Sequence, residues 1–120
     1  MKFRPFALLA FAVAVGAVAC SEDIAGLGEP FAIVADRSTI TAARNVGFSV
    51  SAYTTDLNNR RIPGALTATI TGVTVDSTVY VQELSETRFF LKGTAAVPAP
   101  GADLVITGHG LADTTHVIIQ

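Results

Sequence analysis

From Val46 onward, apolar and small polar side chains alternate with a period of two. Val46, Phe48, Val50 and Ala52 fall on one side, and Gly47, Ser49, Ser51 and Tyr53 on the other. A period of two marks a strand buried on one face, not a helix. The pattern recurs along the chain. Phe31 to Ala35 is a first apolar run, broken by Asp36-Arg37-Ser38 and resumed over Thr39 to Thr41. Leu66, Ala68 and Ile70 alternate with Thr67, Thr69 and Thr71. Phe89 and Leu91 share a face opposite Arg88, Phe90 and Lys92, and charges on such a strand mark an exposed or edge position. Leu104 to Thr107 and Thr115 to Ile119 are the last two runs.

The breaks between runs carry turn chemistry. Thr54 to Gly64 holds Asn58-Asn59 and Pro63-Gly64, and reads as a loop. Asp76-Ser77 divides Val73–Val75 from Thr78–Gln82 as a tight hairpin. Glu83 to Glu86 is a polar turn. Val97-Pro98-Ala99-Pro100-Gly101 reads as a rigid loop, because a central strand does not accommodate proline. Gly108 to Thr114 joins the last two strands. Abundant threonine and valine favour strands over helices. Seven or eight short antiparallel strands over residues 31–120 predict a single all-β sandwich.

The first 30 residues differ in kind. Lys2 and Arg4 precede Phe6 to Val15, a stretch without a polar side chain, and small residues follow up to Cys20. A basic start, a short apolar run and a small-residue cleavage site make a secretory signal over residues 1–19. The apolar run is shorter than the roughly 20 residues that span a bilayer. Ala17-Val18-Ala19 is a site for release of a soluble protein. Ala17-Val18-Ala19-Cys20 also resembles the lipobox of bacterial lipoproteins, with Ala17 where that family prefers leucine. Cys20 is the one cysteine in the chain and falls at the junction, which favours lipid attachment over a free thiol.

The lipoprotein resemblance implies a diacylglycerol thioether on Cys20 and membrane anchoring outside the cytoplasm. Ser21 after the cysteine then favours the outer membrane. Residues 20–30, polar and closed by Pro30, read as the lipidated cysteine and a flexible tether.

Without the signal, six basic residues stand against ten acidic ones, a net charge of −4. Such a chain offers nothing to nucleic acid or to an anionic membrane surface. Arg60-Arg61 is the one basic pair and reads as a solvated turn. With no cysteine pair, stability rests on a hydrophobic core.

Two stretches resemble the bacterial immunoglobulin-like (Big) domains of envelope and surface proteins. Phe48 to Ala65 is similar to that family's strand, Asp-x-Asn-Gly turn and Pro-Gly lead into the next strand, with Asn59 in place of the turn glycine. Val105 to Ile119 is similar to its closing strands. The resemblance implies a spacer, adhesion or recognition scaffold with no shared active site to transfer.

No catalytic, cofactor or metal residue is expected. His109 and His116, seven apart across a hairpin, could form a partial metal site with Asp103 or Asp113, but histidines on a loop and a strand read as ordinary solvent-facing residues. Gly108-His109-Gly110 lacks both the third glycine and the helix that a dinucleotide site needs. Asp56, Asn58 and Asn59 form a turn rather than a calcium loop, since Arg60-Arg61 stands where a bidentate acid would. No serine sits in a nucleophile elbow, and Glu83 and Glu86 read as a solvated corner.

Phe90, Tyr53 and Tyr80 fall on outward faces in this register, where exposed aromatics mark binding patches. The expected function is a non-catalytic accessory, adhesion or interaction module. Its partners would be the membrane, through the lipid anchor, and an envelope protein or polysaccharide. Contact is expected at end loops such as Thr54 to Gly64 or along an open sheet edge. The alternatives are a soluble periplasmic domain binding a carbohydrate or small ligand, and an enzyme of unrecognised type.

Overall fold

The computed structural model describes residues 28–120. The expected signal over 1–19, the anchor residue Cys20 and the tether up to Leu27 lie outside the described residues. Among the described residues nine strands follow one another: β1 Ala32–Ala35, β2 Thr39–Ala42, β3 Phe48–Thr55, β4 Arg61–Ile62, β5 Thr67–Thr69, β6 Thr74–Val81, β7 Glu86–Lys92, β8 Val97–Gly108 and β9 Leu111–Ile119. One 3-10 turn, Gln82–Leu84, links β6 to β7.

The strands form two sheets. One has the order β1-β3-β7-β6, with β4 paired to the end of β3; the other has the order β2-β9-β8-β5. With β1 and β2 counted as one strand that changes sheet, this is the immunoglobulin constant-type arrangement. The change of sheet happens at Asp36-Arg37-Ser38. The Thr115 hydroxyl donates to the Arg37 carbonyl at 2.9 Å, and His116 N–H donates to the Ser38 carbonyl at 2.9 Å. Thereafter β2 runs parallel to β9, from Thr39 opposite His116 to Ala42 opposite Ile119. This parallel pair departs from the expected all-antiparallel pairing. A break signal in sequence marks a bend but not which sheet the chain joins next.

The core lies between the sheets. Ile33, Val50, Ala52, Phe89 and Leu91 project from the first sheet, and Ile40, Leu104, Ile106, Val117 and Ile119 from the second. Phe89 is the largest fully buried side chain. The alternation read over β3 and over β7 therefore holds. Because β7 lies between β3 and β6, however, its charges mark an exposed face and not an edge.

Three other expectations are corrected. Asp76-Ser77 is not a hairpin: β6 runs straight through it, and Asp76 is the extra residue of a β-bulge between Val75, opposite Leu91, and Ser77, opposite Phe90. A bulge reverses the face of every later residue on its strand. Thus Tyr80, opposite Thr87, turns to the core side, while Val79, opposite Arg88, turns outward.

The proline segment Val97–Gly101 is not a loop but the start of β8. Over Val97–Leu104, β8 has β9 on one side only, since β5 reaches only Val105–Thr107. Proline's missing N–H costs no ladder bond on an open side. The prolines do mark an irregularity: the register passes from Val97–Ile119 directly to Ala102–Val117.

Finally, the last connection is not Gly108–Thr114 but the two-residue turn His109-Gly110, with Gly108 opposite Leu111. Both turn residues have positive φ, 55° and 76°, as a type I′ hairpin requires.

Candidate interaction surface

The outer face of the first sheet collects a mixed polar and apolar patch. Tyr53 of β3 faces outward, half-buried, and the Arg61 guanidinium lies 3.8 Å from its ring centroid. Arg61 comes from β4, paired opposite Thr55, which puts it diagonal to Tyr53 on one face. Its Nη1 also donates to the Leu84 carbonyl at 2.9 Å and to Glu86 Oε1 at 3.4 Å. The other carboxylate oxygen of Glu86 accepts from Arg88 Nε at 2.7 Å. One glutamate thus bridges two arginines. The Arg88 bond, foremost, holds the Glu86 carboxyl below its ordinary pKa.

Beside this ion cluster the face turns apolar. Arg88 stands opposite Val79, and Phe90 opposite Ser77 on one side and Ser49 on the other. Val79 is 47% exposed and Phe90 40%. Next to Phe90, the bulge at Asp76 opens a shallow depression, lined also by Gly47, Phe48 and Ser49. Of the three aromatics expected outward, Phe90 is open to solvent. Tyr53 is capped by Arg61. Tyr80 points inward, and its hydroxyl accepts from Gly64 N–H at 2.9 Å. Sequence reasoning gave Arg61 to a solvated turn and Arg88 to an exposed or edge face, and passed over Val79. Alternation placed Arg88 outward, but only pairing brings the two arginines to one glutamate.

The remaining sequence candidates do not converge on a chemical centre. Asp56 is a buried turn carboxylate: Oδ1 accepts from Asn58 N–H at 2.8 Å and Arg60 N–H at 3.0 Å, and Oδ2 from Gly28 N–H at 3.0 Å. These amides, Gly28 foremost, hold its carboxyl below the ordinary range. Backbone donors therefore take both oxygens, which supports the turn reading over the calcium one. The Arg60-Arg61 pair splits. Arg60 lies 3.6 Å from Asp56 and is largely solvated, and Arg61 enters the ion cluster.

His116 Nδ1 lies 3.0 Å from Asp103 Oδ1. His109 sits in the turn at the other end of β9, against Gly64. Among the described residues no three His, Cys, Asp or Glu side chains gather to hold a metal. Among the same residues no helix is long and apolar enough to cross a membrane.

The sheet edges are short or irregular. β1 and β2 have four residues each and β5 three; β6 carries the bulge, and the open stretch of β8 carries Pro98 and Pro100. Such features discourage strand addition.

No protein-family model matches the sequence, and no curated protein matches it. Solved structures do match. The chain is similar to domains 5–6 of the S-layer protein SbsC, with a TM-score of 0.65 and 16% identity, over 76% of this chain and 44% of that one. It is likewise similar to domains 4 and 5 of the same protein, with a TM-score of 0.64 and 16% identity, over 75% of this chain and 51% of that one. The chain thus spans about half or less of the solved chains it matches. At this identity the likeness is one of fold.

Proposed function

We propose that this protein is a non-catalytic envelope lipoprotein, anchored through Cys20 and favouring the outer membrane, whose sandwich is an interaction module for another envelope protein. The observation that carries the reading is the outer face of the first sheet. Phe90 and Val79 stand open to solvent beside an arginine, a composition typical of protein-binding patches. The export-type N-terminus and the fold shared with surface-layer domains support the location. The blunted edges favour the sheet face over strand addition as the contact. A carbohydrate platform needs grouped, open aromatic faces; the capped Tyr53 and inward Tyr80 weigh against it.

A photoreactive residue in place of Phe90 tests the module in intact cells. The expected result is a discrete adduct with an envelope component, absent when the probe replaces Thr41 on the second sheet. A chain captured only as an isolated monomer would sink the interaction reading. Intact mass of the membrane-purified protein tests the anchor. Two or three acyl groups are expected on the wild type and none on Cys20→Ala.

A further inference from the structure

Three solvent-open apolar side chains gather at one end of the sandwich: Phe31 is 59% exposed, Leu57 56% and Leu84 45%. Their neighbours place them together. Phe31 N–H donates to the Thr55 carbonyl at 2.8 Å. Leu57 lies in the turn built around Asp56. The Leu84 carbonyl accepts from Arg61, which stands opposite Thr55. The chain enters the domain at this same end, where Gly28 N–H is fastened to the buried Asp56 carboxylate.

We propose that this end is a membrane-docking face, seated at the headgroup–acyl boundary of the bilayer that holds the anchor. The inference rests on the lipid anchor proposed above. Only Ser21 to Leu27 separate Cys20 from Gly28, and seven residues reach at most about 25 Å. Because Gly28 is fixed to the Asp56 turn, Phe31, Leu57 and Leu84 are the open apolar groups, among the described residues, at the end where the tether joins the domain. Three side chains would bind a bilayer weakly on their own. Linked to an acylated residue, the contact becomes intramolecular, with an effective concentration on the order of millimolar, so a weak contact is populated.

Charge does not drive the contact. Arg60 and Arg61 share this end with Glu29, Glu83 and Glu86, the last bonded to Arg61, so insertion is apolar and needs no anionic lipid. The segment Thr54 to Gly64, expected from sequence to be a loop that meets a partner, ends β3 and carries β4, and its Asp56 turn then faces the bilayer. The outer sheet face with Phe90 stays free for protein.

The chain contains no tryptophan, so one introduced tryptophan reports its own surroundings. The experiment uses Leu57→Trp in the membrane-purified protein, its mass confirmed, reconstituted in phosphatidylcholine vesicles that carry shallow quencher lipids. Val46→Trp, at the opposite end, is the control. Docking predicts a blue-shifted Leu57→Trp emission that loses roughly half its intensity to the quencher, and an unshifted Val46→Trp. Adding Phe31→Ser and Leu84→Ser should abolish the quenching.

Unquenched Leu57→Trp on an acylated chain overturns docking and leaves the anchor standing. Equal quenching at both positions also overturns it, since no one end is then seated. A blue shift already present in the Cys20→Ala, Leu57→Trp chain in buffer, with neither detergent nor vesicles, assigns the patch to a protein contact and overturns it as well. An unacylated mass overturns the anchor, and docking with it.

Discussion

Thr87 and Thr54 are both fully buried threonines, yet they do opposite things. The Thr87 hydroxyl accepts from Leu66 N–H at 2.9 Å, fixing the start of β5 against β7. The Thr54 hydroxyl is buried with no hydrogen-bond partner among the described residues. A buried donor stripped of its acceptor costs about 1–3 kcal/mol, whereas removing an unpartnered hydroxyl costs little or stabilises. Thr87→Val is therefore expected to cost that much stability, read as a lower urea midpoint at unchanged slope, and Thr54→Val to leave the midpoint unchanged or raise it.

Asp56 supplies a pH-dependent contribution. Its folded pKa is lowered, chiefly by Gly28 N–H, so its stabilisation is full above the unfolded value near 4 and is lost as pH falls through the folded value. Glu86 acts with the same sign. Urea midpoints measured from pH 7 down to about pH 2 should decline below about pH 4 in the wild type. Asp56→Asn should flatten part of that decline, and a decline unaltered by the substitution would remove Asp56 as its source.

At the scale of elements, two glycines show how local backbone and tertiary contact divide the work. Gly110, in the β8–β9 turn, has a φ of 76° and open space where a side chain would go. Gly101, in the irregular part of β8, has a φ of 97°, and an added Cβ would lie 2.6 Å from the Val117 carbonyl oxygen. Gly110→Ala meets only the left-handed backbone penalty, roughly 1 kcal/mol. Gly101→Ala must also displace the backbone of β9 and should cost roughly 2–3 kcal/mol. Equal shifts of the two urea midpoints would show that the β8 irregularity relaxes freely. The turn glycine could be suspected from the Gly-His-Gly spacing. The contact at Gly101 could not, because it depends on where β9 passes.

For the whole molecule, stability comes from side chains meeting between two sheets, with no disulfide available to a chain of one cysteine. Adjacent phenylalanines of β7 separate core from surface. Phe89 is fully buried, and Phe90 is 40% exposed on the opposite face. Phe89→Ala should cost about 3–5 kcal/mol and lower the melting temperature by roughly 12 °C or more. Phe90→Ala should change stability by less than about 1 kcal/mol while removing the proposed contact. Comparable losses of stability for both would mean that the outer face is structural. The two ends of the sandwich also differ. The chain enters beside Asp56, and the backbone of the last residue, Gln120, bonds to Arg44 and Ala42 at the far end. This polarity gives the sheet face and each end a distinct direction relative to any anchor.

The strand class, the inward faces of β3 and β7, the break at Asp36–Ser38 and the turn at Asp56 are legible along the chain alone. Each follows from local period or local hydrogen-bonding chemistry, which a chain expresses wherever it lies. The sequence also carries a basic, then apolar start and Cys20, on which the proposed anchor rests. The rest depends on how strands distant in sequence pair. Asp76 became a bulge and not a turn because β7 continues beside it. Pro98 and Pro100 joined a strand because β5 is too short to require their N–H groups. Tyr80 turned inward because one extra residue on β6 reverses its face. Arg61, Glu86 and Arg88 met because pairing, not spacing, sets which side chains are neighbours. Side-chain direction in a sheet depends on register, and register is fixed between strands that are far apart in sequence.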